Sequence, residues 1–259
     1  MRYNIVFILF LLGCWSCNGS ENTSPQASKN KEKESSAMLN TLSPAEISAG
    51  WTLLFDGEST QGWRGFKSDS FPSVGWHVTD GCLMIEYSGT GEKGFAGDLI
   101  TTGTYKNFDL KLEWKISPGG NSGILFNVTE SGDDVTWHSA MEIQVLDEFG
   151  YDDIHNYVPD LRQISGALYD LYTPFCAASR PVGEWNEARI LLENGHIRHW
   201  LNDRLVVDAE LWTDDWENRV AKSKFSIYPD YGMSREGHIG LQDHGQQVWF
   251  RNIKILELE

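Results

Sequence analysis

A chain of 259 residues, 41% hydrophobic and 12% aromatic, is long enough to enclose a sizeable core. Its 37 acidic residues against 21 basic ones leave a net charge of −16. Such a surface repels nucleic-acid phosphates and anionic lipid, so no nucleic-acid partner is expected and neutral substrates or cations remain.

The chain opens like an export signal. Arg2 is a short basic start, and Ile5 to Leu12 is an apolar run too brief to span a bilayer. "LLGC" then fits a bacterial lipoprotein processing site at Cys14, with Cys17 as the alternative and an ordinary secretory signal as the plainer reading. Residues 1–17 are assigned to a lipoprotein signal region. The expectation is an exported protein, periplasmic or cell-surface, that meets the membrane only through a lipid anchor. Residues 18–42 are rich in Ser, Asn, Lys and Glu without apolar periodicity, the composition of a flexible tether.

The folded domain is expected over 43–259. "SPAE" offers an N-cap, a proline at the first helical position and a glutamate three residues after the cap, so one short helical turn should start at Ser43. In "FDLKLEWKI" (108–116), Phe108, Leu110, Leu112, Trp114 and Ile116 alternate with charged residues, which is a strand with one wet face. Strands are likewise expected at 121–128, 141–146, 188–193, 197–202, 238–244 and 247–258. Asn194-Gly195 supplies the positive-φ turn of a hairpin. A short helix capped by Thr or Asp fits 213–225. The stretches 147–181 and 205–236 resist a strand reading and suit functional rims. Many short strands with little helix point to an all-β sandwich of two antiparallel sheets. Past the signal region only Cys82 and Cys176 remain, as a disulfide or as two unpaired thiols.

One strand carries the functional question. In "EIQVLDEFGY" (142–151), Glu142 and Gln144 share a face opposite Ile143 and Val145, with Asp147 at the strand end. A sheet face bearing carboxylates and amides, beside a flat aromatic such as Trp200 or Trp137, is how a sandwich builds a sugar site. A merely solvated face would produce the same alternation. Asn121 starts another strand. Gln242 and His244 share a face if theirs is regular, with His244 a general base, a metal ligand or a structural histidine. His138, four residues before Glu142, and His155, in the long loop, are further substrate-binding candidates whose geometry spacing leaves open. Asp133, Asp134, Asp147, Asp152 and Asp153 are numerous enough for calcium, yet no EF-hand or His-x-x-x-His spacing defines a ligand set, so a divalent metal stays open and the metal ligands unknown.

Seven segments in order resemble the 3-keto-disaccharide hydrolase domain family: "GWTLLFDGESTQGW", "NFDLKLEWKISPGGNSGILFNV", "MEIQVLDEFG", "SGALYDLY", "GEWNEARI", "HWLND" and "GHIGLQDHGQQVWFRNIKI". The resemblance implies a concanavalin-like jelly roll with long loops over a concave face, acting on carbohydrate oxidised at C3. Such chemistry removes an acidified C2 proton, expels the C1 oxygen by β-elimination and adds water back. It needs a base, an acid for the leaving group, and an electrophile or metal at the enolate oxygen. By motif position, Glu142 is the base or a metal-binding carboxylate, with Asp147 and His244 as acid–base candidates. Tyr169 donates to the leaving oxygen or the enolate, while Asn121, Gln144 and Gln242 hold hydroxyls. The Glu-x-Asp-x-x-Glu strand of conventional sandwich glucanases is not matched, since Gln144 and Asp147 occupy its second and third acidic positions. A conventional glycoside hydrolase and a non-catalytic glycan-binding module are the competing readings.

Overall fold

The computed structural model describes residues 39–89, 94–131 and 135–259. The leader and the tether up to Met38 lie outside the described residues, as do Asp133 and Asp134.

The described residues begin at Leu39, and those just ahead of Ser43 already pack on the sheet. Asn40 is buried and exchanges hydrogen bonds with Asn252: each backbone N–H donates to the other's side-chain oxygen, at 2.6 and 2.8 Å. Helix α1 (Pro44–Ser48) follows with the expected capping box between Ser43 and Glu46.

Strands β1 (Thr52–Leu53), β2 (Trp63–Gly65), β3 (Trp76–Thr79), β4 (Cys82–Ile85) and β5 (Leu99–Thr101) are too short to show periodicity in sequence. Longer ones follow: β6 (Phe108–Ile116), β7 (Asn121–Val128) and β8 (Met141–Leu146), then, after helix α2 (Tyr151–His155), β9 (Asn186–Glu193), β10 (His196–Leu201) and β11 (Arg204–Glu210). Helix α3 (Asp214–Lys222), capped by Thr213, precedes β12 (His238–Leu241) and β13 (Val248–Glu257). The β9–β10 hairpin turns at Asn194 and Gly195, both at positive φ. β11 corrects the loop expected from 205 onward. It is an edge strand paired only to β10 through a bulge at His199/Trp200, which disrupts the simple alternation.

These strands form two antiparallel sheets stacked as the expected jelly-roll sandwich. The eight-stranded sheet runs β11-β10-β9-β6-β13-β4-β3, with β1 also on β13; the five-stranded sheet runs β2-β5-β12-β7-β8. Alternate residues of each meet in one core, where Phe108 of β6 packs edge-on to Phe126 of β7 at 6.4 Å. Each fully buried large apolar side chain there contributes about 1.5–3 kcal/mol. Cys82 and Cys176 are free thiols, not a disulfide.

β8 would be an open edge, and the segment after it closes that edge. Gln144 N–H donates to Ala167 O, Gly166 N–H to Gln144 O, and Tyr169 N–H to Glu142 O, with Ile143 bridged to Leu168. The same pairing brings Tyr169 alongside Glu142.

Candidate active site

The outer face of the five-stranded sheet is covered by loops. Because Ile143, Val145, Ile124 and Phe126 face the sandwich core, Glu142 and Asn121 must face outward on β8 and β7. Between sheet and loops lies a cavity of about 450 Å³, lined by Glu142, Asn121, Gln242, His244, Tyr169 and His155 among others. With Trp137, which also lines it, seven of the residues singled out in sequence therefore converge.

Glu142 is only 5% exposed. Its carboxylate lies over Gly123, where an added Cβ would sit 2.4 Å from Oε1 and 2.6 Å from Cγ. Burial pushes its pKa up to about 7; the Lys224 ammonium and a 3.5 Å contact from the Gln242 amide pull the other way, and the Asp98 charge adds to the rise. Two more acceptors face the cavity unused: Asn121 Oδ1 and Gln242 Oε1 are buried and have no hydrogen-bond partner.

Beside Glu142 on the cavity wall stands Tyr169. Its hydroxyl oxygen accepts from Lys224 Nζ at 3.3 Å and Gln163 Nε2 at 3.4 Å. With both lone pairs engaged, the phenolic proton is left to donate elsewhere. Burial and the nearby Glu142 charge raise the Tyr169 pKa well above the usual phenol range, so it stays a neutral donor. Lys224 is positioned by its backbone: its N–H donates to Asp170 Oδ2 at 2.9 Å, and Ser223 caps the short 3-10 turn it opens. Its ammonium also lies 5.3 Å from the ring centre of Trp137, which lines the cavity.

The long loop closes one end. Tyr151, stacked on His155 at 4.0 Å, receives a 3.4 Å hydrogen bond from Asn121 Nδ2 at its hydroxyl. His155 Nε2 donates to Gly119 O at 2.8 Å, fastening the loop to the β6–β7 connection.

Four expectations need correcting. Asp147 is not at the cavity; its carboxylate accepts from the N–H of Gly119 at 2.8 Å and of Gly150 at 3.1 Å, bracing two turns. Gln144 shares the face of Glu142 but is covered by the 160s loop, donating from Nε2 to Gln163 O at 3.0 Å. Trp200 lies on the outer face of the other sheet, beneath the Arg189 guanidinium at 4.8 Å. His138 stacks on Tyr228 at 3.8 Å and lines a separate, smaller hollow. Lys224, Tyr151 and Gln163 were not anticipated. Tyr151 opens α2 at the end of the stretch that carries Glu142, whereas Gln163 and Lys224 come from segments further along the chain, and no local pattern announces any of them. Among the described residues no group of three or more His, Cys, Asp or Glu side chains is arranged to hold a metal ion.

Comparison with known proteins identifies the family and the fold. Residues 50–256 match the 3-keto-α-glucoside-1,2-lyase-like domain. The chain is 36% identical to a 3-keto-disaccharide hydrolase of Bacteroides thetaiotaomicron, over 94% of each protein. A crystal structure of a candidate glycosyl hydrolase from Parabacteroides distasonis superposes with a TM-score of 0.77 at 33% identity, covering 85% of this chain and 100% of that one. A second from the same organism, at 23% identity and a TM-score of 0.57, covers 85% of this chain and 90% of its own and shares the fold. By sequence match and by fold, the chain belongs to the 3-keto-α-glucoside-1,2-lyase-like family.

Proposed function

We propose that this protein cleaves 3-keto-disaccharides by removing the C2 proton, eliminating the C1 oxygen and then adding water. The observation that carries this reading is the composition of the cavity: one buried carboxylate with a pKa near neutrality, beside a neutral tyrosine backed by an ammonium. A base works best when its pKa lies near the working pH, which suits Glu142 to taking the C2 proton. As that proton leaves, charge builds on the ketone oxygen. The Tyr169 hydroxyl, polarised by Lys224, is built to donate there. His244, on the same wall, is assigned the proton that the departing oxygen requires. Asn121 and Gln242 would take hydroxyl protons and hold the ring.

A conventional glycosidase needs a second carboxylate beside the scissile bond. Asp98, whose charge acts on Glu142, accepts from Asp243 N–H at 2.8 Å and from the Thr136 hydroxyl, so both its oxygens are engaged in structure. The relative from Bacteroides thetaiotaomicron, whose name specifies 3-keto-disaccharides, supports the substrate class. Turnover of a C3-oxidised disaccharide carrying deuterium at C2 tests the route. A primary isotope effect is expected; equal rates for the two isotopologues, or cleavage of the unoxidised disaccharide, would point to direct hydrolysis. The leader pattern at 1–17 supports export and a lipid anchor at Cys14 or Cys17 as part of the same proposal.

A further inference from the structure

A second hollow lies beside the first on the same sheet face. It measures about 420 Å³ and shares Trp137 and Gln242 with the Glu142 cavity. Strand order explains the arrangement. Glu142 and Asn121 belong to β8 and β7, whereas the second hollow is built on the end of β2 and on residues 96–98 leading into β5. Gln242, just past β12, stands between them.

The walls of the two hollows differ in chemistry. The second has the half-buried rings of Phe66 and Phe71 beside Ser68 and Ser70. Phe66 is seated on the small apolar cluster of Ile100, Leu125, Val128 and Ala140. Its carboxylates are already engaged: Asp98 as described, and Asp243 through the N–H groups of Ala96 and Gly245, each at 3.0 Å. They stiffen the wall and make it unwelcoming to anions. On the partition, Gln242 is 7% exposed, and its Oε1 has no partner.

We propose, on the footing of the activity above, that this hollow is the subsite for the departing half of the substrate, and that it takes a neutral sugar ring. The keto ring must occupy the first cavity, where the base and the donors are. A ring in the second would lie against Phe66 and Phe71 and exchange hydrogen bonds with the serine hydroxyls. The linking oxygen then crosses between Trp137 and Gln242, and the unused amide oxygen accepts a hydroxyl proton beside it.

The test compares kcat/KM on a C3-oxidised glucose disaccharide and on methyl 3-keto-glucoside, which has no second ring. Wild type, Phe71→Ala and Val74→Trp are measured. Val74 lines the hollow and is 51% exposed, so added bulk there fills the hollow without entering the core. Both variants should lose about tenfold on the disaccharide, chiefly through KM, and change by less than about twofold on the methyl glycoside. Equal losses on the two substrates, or no loss on either, would overturn the subsite. A wild type that converts neither substrate instead overturns the activity proposed above and the subsite with it, a distinct result.

Discussion

The two outer faces of the sandwich present similar residue types in opposite states. On the eight-stranded sheet, several charges are matched with one another: Arg189 with Asp109 and Arg251 with Glu113, each pair at 2.7 Å, and Lys254 with Glu46, while the Arg198 guanidinium, its Nε without a hydrogen-bond partner, lies over the Trp200 ring. Its tryptophans are capped by cations, Arg251 lying 3.8 Å from the ring centre of Trp185 and Lys115 4.4 Å from that of Trp249. On the five-stranded sheet, Glu142 has only a long amide contact, and the buried amide oxygens of Asn121, Gln144 and Gln242 have none. A face whose polar groups satisfy each other needs no ligand. A face that leaves them unsatisfied has given up stability for something that binds.

The contrast breaks first at Glu142. Glu142→Gln should lower kcat on a 3-keto-disaccharide by about 10²–10⁴-fold while circular dichroism shows an unchanged fold; retention of most activity would remove the base from this position. Tyr169→Phe and Lys224→Met should each cost about 10²-fold in kcat with smaller changes in KM, measured by steady-state kinetics.

Protonation sharpens the comparison. As the proposed base, with a pKa raised to about 7, Glu142 should make kcat/KM rise with pH through about 7. Stability should move the other way. Between the ordinary value of 4.5 and about 7 the folded protein keeps a proton that the unfolded chain has lost, so burial of Glu142 costs stability progressively as pH rises through that window. Urea unfolding should therefore find Glu142→Gln more stable than wild type by up to about 3 kcal/mol at pH 8, and no more stable at pH 4. The smallest effects belong to the other face. Arg189, its side chain 42% exposed, should cost about 1 kcal/mol or less when changed to Met, and Trp200→Ala should leave kcat/KM within about twofold of wild type.

What the sequence disclosed follows the same division. The strict alternation in "FDLKLEWKI" marks β6 to the residue, because a strand with one face in the core must alternate. Glu142 was legible for the converse reason: a carboxylate on an otherwise apolar strand needs an explanation. Alternation says that Trp200 points away from Ile197, His199 and Leu201, which are buried, but not which sheet β10 joins, so its distance from the cavity could not be read. Gln144 and Asp147 sit near Glu142 along the chain, yet their partners, Gln163, Gly119 and Gly150, are set by how the loops fold back. Lys224 reaches Tyr169 across 55 residues of chain, a proximity only tertiary packing creates.

The bare backbone under the Glu142 carboxylate carries a consequence for relatives of this chain. Any side chain at 123 would collide with the acid and evict it from its place on the sheet. Glycine at that position is thus a prerequisite for the acid to lie where it does. A relative that keeps the acid but has lost the glycine should have kept the scaffold and surrendered turnover, which makes position 123 a simple marker for sorting working enzymes from retired ones.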